Sequence, residues 1–288
     1  MKVLLCGAGG QLGRAVQSHV PGGTTLVALG RSQLDICDPD AVREAVAGLR
    51  PAAVINAAAY TNVEAAERER DLAFRANAEA PGTLARCCES IGARLIHVST
   101  DYVFDGRSGK PYRPGDATNP LNVYGASKLE GEKRVLGETG GRGLVLRTAW
   151  VYAAGGNNFI MKVLERMRSG NDLRVVRDQI GTPTWAVSLA QAIWSLLRRD
   201  DAQGILHYTD AGRVSWYDVA IATMEAALSL KLIPAAVGIE AIGSSEFPAA
   251  AQRPAFSVLD ISATEALIGR ARPWRESLRL MLEEVRAA

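Results

Sequence analysis

The chain has 288 residues, 48% of them hydrophobic and 22% charged, a globular composition that excludes a disordered chain. That length suffices for a nucleotide-binding domain with a smaller partner domain. Its 33 basic and 31 acidic side chains are interspersed and leave a net charge of +2, which argues against a nucleic-acid partner while leaving single Arg or Lys residues to meet an anionic small molecule.

Through the first half, short apolar runs alternate with amphipathic stretches, the pattern of a parallel sheet covered by helices on both faces. The first strand is expected at Lys2–Cys6. It runs into Gly7-Ala8-Gly9-Gly10-Gln11-Leu12-Gly13, a G-x-x-G-x-x-G run that opens a helix near Leu12–Val20. Glycines between strand and helix let the backbone approach a pyrophosphate, and the helix N-terminus supplies N–H donors and a favourable dipole end. The next strand, Thr24–Leu29, ends at Gly30-Arg31-Ser32. An acid at that turn would bond a ribose 2′-hydroxyl, whereas arginine accommodates a 2′-phosphate. Arg31, with one hydrogen bond added by Ser32, therefore points to NADPH, with NADH as the second candidate. Asp35 and Ile36 follow, placed to line the nucleotide. A helix at Pro39–Leu49 is then set by Asp38 as N-cap and proline at the first helical position. After a strand at Ala53–Asn56, the run Ala57-Ala58-Ala59-Tyr60 is placed to line adenine and ribose.

Helices near Asn62–Ala66 and Arg70–Ile91 lead to a strand at Leu95–Ser99, whose end carries Ser99-Thr100-Asp101-Tyr102. Such sheets bind ligands at the carboxyl ends of their strands, so these hydroxyls belong at the rim, and Thr100 is the expected partner of a substrate carbonyl. Tyr124 and Lys128 share one face of a helix that begins near Tyr124 and runs through Ser127–Thr139. A tyrosine of ordinary pKa, about 10, transfers protons poorly near neutrality unless a cation stabilises its phenolate. Lys128 is that cation, and it is also placed to bond a nicotinamide ribose. The set can protonate a carbonyl that receives hydride.

A strand at Gly143–Arg147 follows, and after Trp150 the alternation loosens. Gly155-Gly156-Asn157-Asn158 opens a helix at Phe159–Arg168, while a helix at Val187–Arg198 and a strand at Gly204–Tyr208 return the chain to the first domain. The expected fold is α/β: a Rossmann-like doubly wound parallel sheet, residues 1–150 plus about 185–210, with a smaller α/β C-terminal substrate domain, about 151–184 plus 211–288. The most hydrophobic late stretch, Val219 to Gly243, is broken by Glu225, Lys231 and Pro234, short of the roughly 18 residues of a membrane span. The opening apolar stretch stops at Gly7, so no export is expected. Cys6, Cys37, Cys87 and Cys88 have neither zinc nor disulfide spacing and fit a cytoplasm. His97, within an apolar strand, reads as a satisfied core residue.

These motifs carry a resemblance. Together with Asn56 to Thr61, Ser99 to Gly106, Pro120 to Gly125, Arg147 to Tyr152, Asn157-Asn158-Phe159, Asp178 to Thr184 and Arg253-Pro254, the glycine run resembles the extended short-chain dehydrogenase/reductases and, within them, the dTDP-4-dehydrorhamnose reductase family, nearly end to end. The resemblance implies hydride delivery from NADPH to C4 of a dTDP-4-keto-6-deoxy-L-mannose, with Tyr124 protonating the alkoxide and Thr100 bonding the same oxygen. It also implies that Asp101 and Tyr102 at the sheet end, with Trp150, Asn158 and Arg253, lie toward the sugar nucleotide; a guanidinium suits a diphosphate. Some members form a dimer bridged by a divalent cation on acidic side chains, one of them two residues after the last fingerprint glycine. Here that position is Ala15, so no metal is expected and monomer and homodimer both stand. Two other readings stay open: a reductase or epimerase of another nucleotide sugar, and a non-catalytic NADP-binding subunit similar to methionine adenosyltransferase beta.

Overall fold

The computed structural model describes residues 1–287. The first half runs β1 (Lys2–Cys6), α1 (Gln11–Ser18), β2 (Thr25–Leu29), α2 (Pro39–Leu49), β3 (Ala53–Asn56), α3 (Val63–Ala66), α4 (Arg70–Phe74), α5 (Ala80–Ile91), β4 (Arg94–Thr100), α6 (Val123–Glu138) and β5 (Leu144–Thr148). The second half runs β6 (Val151–Tyr152), α7 (Phe159–Arg168), β7 (Leu173–Val176), β8 (Ile180–Gly181), β9 (Thr184–Trp185), α8 (Ala186–Leu196), β10 (Gly204–His207), β11 (Val214–Ser215), α9 (Trp216–Ser229), β12 (Ile239–Ile242), α10 (Ser262–Ile268) and α11 (Trp274–Ala287).

Six strands pair in parallel in the order β10-β5-β4-β3-β1-β2, an α/β doubly wound sheet. The chain starts at β1 and moves outward in both directions, so the carboxyl ends of β1 and β3 open side by side at the crevice where such folds bind ligands. Continuous apolar runs explain burial on both faces: Val3, Leu5, Ile55, Ile96, Leu144 and Leu146 pack against α1 and α8, while Leu4, Val54, Leu95 and Val145 pack against α2 and α5. Three two-stranded ladders, β7/β12, β8/β11 and β6/β9, join α7, α9 and α11 around a separate apolar cluster that includes Leu164, Met167, Val219 and Leu278.

Two helices differ from the sequence expectation. The stretch Arg70–Ile91 is interrupted by a π-helical turn at Arg75–Glu79, which has no local signature in the sequence. Helix α6 begins at Val123, because the side chain of Asn122 caps it by accepting from the Gly125 N–H at 2.8 Å. The start of α2 follows the Asp38-Pro39 signal, with the Asp38 carboxylate accepting from Asp40 and Ala41 N–H.

Candidate active site

β1 turns sharply at Gly7, whose φ of +86° and whose hydrogen, where another residue has Cβ, are both required: a Cβ there would fall 2.6 Å from the Ala58 nitrogen. Gly10, at the N-cap position of α1, closes the turn by donating its N–H to the Gly7 carbonyl at 3.1 Å, and the first N–H groups of α1 have neither a side-chain cap nor an acidic side chain beside them. Above this turn lies a cleft of about 680 Å³. Of the residues expected from sequence, it is walled by Gly7, Gly10, Gln11, Arg31, Asp35, Ile36, Ala57, Ala58, Ala59 and Tyr60. A bare glycine turn, uncapped helix N–H groups and an arginine at the rim suit an elongated polyanion. No acid stands at the Gly30-Arg31 turn, and Arg31 is largely exposed, only loosely paired with Asp35 at 3.7 Å.

Other expected residues fall elsewhere. Leu12 turns into the core, Gly13 packs under the Gly7 carbonyl and exposed Ser32 stands outside the cleft wall. Ser99 points away from the cleft and donates to Glu132 Oε1 at 2.5 Å. Residues that sequence reasoning missed come from remote segments: Arg14, Thr61, Asn62 and the Gly156-Asn157 loop also wall the cleft. Asn158 ties that loop down. Its side chain caps α7, accepting from Met161 N–H, and donates to Gln11 Oε1 at 2.7 Å, so its amide is committed to positioning the loop and not to the open cleft.

The second centre forms where β4 ends against α6. Gly125 permits the contact: a Cβ there would lie 2.1 Å from the Tyr102 carbonyl, so any larger residue would push the helix off the turn that follows Thr100. Tyr102 and Tyr124 meet edge to face at 5.7 Å between ring centres. Thr100 accepts from Tyr102 N–H and donates to Asp101. Burial pushes the Tyr124 hydroxyl up to about 12; a hydrogen bond with Thr100 pulls the other way, and the Asp101 charge adds to the rise. Burial likewise pushes Lys128 down to about 8, with Glu132 opposing. Lys128 Nζ donates to the Val98 carbonyl at 2.7 Å.

The two centres are tied together by Asn77 on the π-helical turn. Its side chain accepts from Tyr60 N–H, donates to the Tyr60 carbonyl and donates to Ser127 Oγ of α6. Arg253 reaches the same region, its charge opposing the rise that burial imposes on the Tyr102 hydroxyl, and it pairs with Glu64 at 2.6 Å. Trp150 is half-buried. At φ +49° it stacks on Trp216 at 3.6 Å and fills the space over Gly181, as part of the packing of the second half. The Asp178-Gln179 pair pins the Ser244 turn.

The family model described as RmlD substrate binding domain matches residues 1–287. The chain belongs to the dTDP-4-dehydrorhamnose reductase family. A dTDP-4-dehydrorhamnose reductase of Burkholderia thailandensis is 38% identical, with 99% of each chain covered. The crystal structure of a dTDP-4-dehydrorhamnose reductase from Clostridium acetobutylicum superposes with a TM-score of 0.92 at 36% identity over 99% of each chain. A second, from Bacillus anthracis and in complex with NADP, has a TM-score of 0.92 at 32% identity, covering 98% of this chain and 99% of that one. Membership makes this chain an oxidoreductase with a Rossmann-like sheet. Among the described residues, no helix is long and apolar enough to cross a membrane.

Proposed function

We propose that this protein reduces the C4 keto group of dTDP-4-dehydro-β-L-rhamnose to dTDP-β-L-rhamnose with NADPH, in the cytoplasm. The observation that carries the reading is the juxtaposition of Thr100, Tyr124 and Lys128 at the carboxyl end of β4, next to the cleft at β1 and β3. NADPH, when bound, supplies the hydride. The glycine turn and the α1 N-terminus would hold its pyrophosphate, Arg31 its 2′-phosphate, and Ala57 to Tyr60 would line adenine and ribose.

Thr100 lies beside the Tyr124 hydroxyl, so a carbonyl oxygen seated against both would take a hydrogen bond from Tyr124 and, once Thr100 turns its proton away from Asp101, a second from Thr100. Tyr124 passes its proton to that oxygen as negative charge develops. Lys128, one turn along α6, lowers the cost of the resulting phenolate when it carries charge. Arg253 and Tyr102 flank the oxygen's approach, the guanidinium being suited to a diphosphate. The body formed by residues 1–150 with 185–210 holds the cofactor in this reading, and the remainder meets the sugar nucleotide.

The test follows loss of NADPH absorbance with the keto-sugar generated in place from its 4-keto-6-deoxyglucose precursor by a 3,5-epimerase. Oxidation that depends on the epimerase is the expected result. Tight NADPH binding without oxidation, beside a competent epimerase, would overturn the reading and favour a non-catalytic NADP-binding subunit or another sugar nucleotide.

A further inference from the structure

Behind Lys128 three buried side chains from three elements form a chain. Asn56 at the end of β3 has its Nδ2 3.0 Å from His97 Nδ1 on β4, and His97 Nε2 lies 3.3 Å from Lys128 Nζ on α6. The Asn56 amide has one orientation only, because its Oδ1 accepts from the Ala58 N–H, a group that can only donate. Nδ2 therefore faces the ring as a donor, and His97 Nδ1 must offer its lone pair. The proton of the neutral ring then sits on Nε2 and points at Lys128.

Counting lone pairs gives the consequence. A neutral imidazole has one N–H and one lone pair. With Lys128 as an ammonium, both neighbours of the ring are donors and only one can be accommodated. With Lys128 as an amine, both contacts are satisfied: Asn56 donates to Nδ1 and Nε2–H donates to Nζ, which still donates to the Val98 carbonyl. A cationic ring is no escape, since burial and the neighbouring Lys128 hold His97 well below its ordinary range.

The other groups around Lys128 do not cancel this bias. Glu132, one turn along α6, favours the ammonium, yet both its oxygens are taken by Arg147 of β5, and Ser99 of β4 adds a third bond. Tyr124, one turn back, is protonated in the resting protein.

We propose that His97, held in its Nε2–H tautomer by Asn56, is a positioning residue that biases Lys128 toward the neutral amine and so sets the pH at which Lys128 loses its proton. The proposal deepens the catalytic reading of Lys128 and rests on it for its functional meaning. The tautomer and the titration can be observed without turnover.

Labelling the six lysines with carbon-13 at Cε, and assigning Lys128 by a Lys128→Arg variant, gives its titration directly. Labelling the histidine rings with nitrogen-15 gives the tautomer of His97. The wild-type ring should show Nε2–H above the Lys128 titration. Asn56→Asp offers Nδ1 an acceptor, frees the Nε2 lone pair for the ammonium and should raise the Lys128 midpoint by about one pH unit, tenfold in proton affinity. His97→Gln offers an amide oxygen instead and should shift the midpoint the same way. An Nδ1–H ring in the wild type, or an unmoved midpoint in both variants with native spectra, overturns the proposal. The two readings fail separately: a midpoint that moves while the alkaline limb of kcat/KM at saturating NADPH stays fixed supports the role of His97 and removes Lys128 from proton transfer.

Discussion

Glu132 of α6 and Arg147 of β5 form a two-pronged ion pair, with Oε2 to Nη2 at 2.6 Å, Oε1 to Nε at 2.9 Å and both side chains 2% exposed. The pair joins α6 to β5, and the guanidinium lies over the Phe104 ring. Removing one partner leaves a buried charge alone, a loss of about 3–5 kcal/mol, whereas replacing both with apolar residues of similar volume avoids that penalty. Glu132→Gln should therefore lower the unfolding midpoint by roughly 10 °C, and Glu132→Met with Arg147→Met should be more stable than either single change. Calorimetry on the variants checks it; a double variant less stable than the single changes would show the pair to be worth more than its desolvation.

Arg31 stands at the rim of the cleft with its guanidinium largely exposed and only a loose partner. Arg31→Ala should raise KM for NADPH roughly tenfold, a change of about 1.4 kcal/mol, and leave KM for NADH nearly unchanged. Steady-state kinetics with both cofactors decides it. An equal rise in both would assign the 2′-phosphate to another residue.

Tyr124 carries the proton in the proposed reaction, and its ring packs edge to face on Tyr102. Phenylalanine keeps that packing and removes the hydroxyl. Tyr124→Phe should lower kcat by about 10²–10⁴ with NADPH affinity retained. Parallel fluorescence titration and turnover assays separate the two effects, and unchanged turnover would exclude Tyr124 from the chemistry.

His207, fully buried at the end of β10, is pushed down to about 3 by burial and by the Arg147 charge, against bonds that favour its protonation. A folded-state pKa below the unfolded one means stability that is complete above about pH 6.5 and lost as pH falls toward 3, at about 1.4 kcal/mol per pH unit. His207→Gln has no such titration. Its cost relative to the wild type should therefore shrink by about 2 kcal/mol between pH 7 and pH 5. Urea unfolding at the two pH values measures the difference; a constant gap would mean that the ring titrates alike in the folded and unfolded states.

The six strands of the central sheet, the glycine turn and the Tyr124-to-Lys128 spacing were legible because each is written in adjacent or regularly spaced residues, whereas the short strands β6 to β9, β11 and β12 were not. Asp38-Pro39 announces α2 in the same local way. What the sequence hid depends on remote contacts. Gly156 and Asn157 reach the cleft only because Asn158 bonds Gln11, nearly 150 positions earlier in the chain. Ser99 reads as a rim hydroxyl, yet strand alternation turns it away from Thr100 toward Glu132. The packing of Trp150 on Trp216 and over Gly181 likewise joins residues far apart in the chain. His97 was legible as a buried, satisfied residue, but its partners lie on β3 and α6 and could not be named from spacing.

Asn77 grips the Tyr60 backbone through both its N–H and its carbonyl and holds Ser127 with the same amide. This clamp joins the cleft wall at Tyr60 to α6. The cleft wall and α6 thus meet, one residue from Lys128, through a single carboxamide.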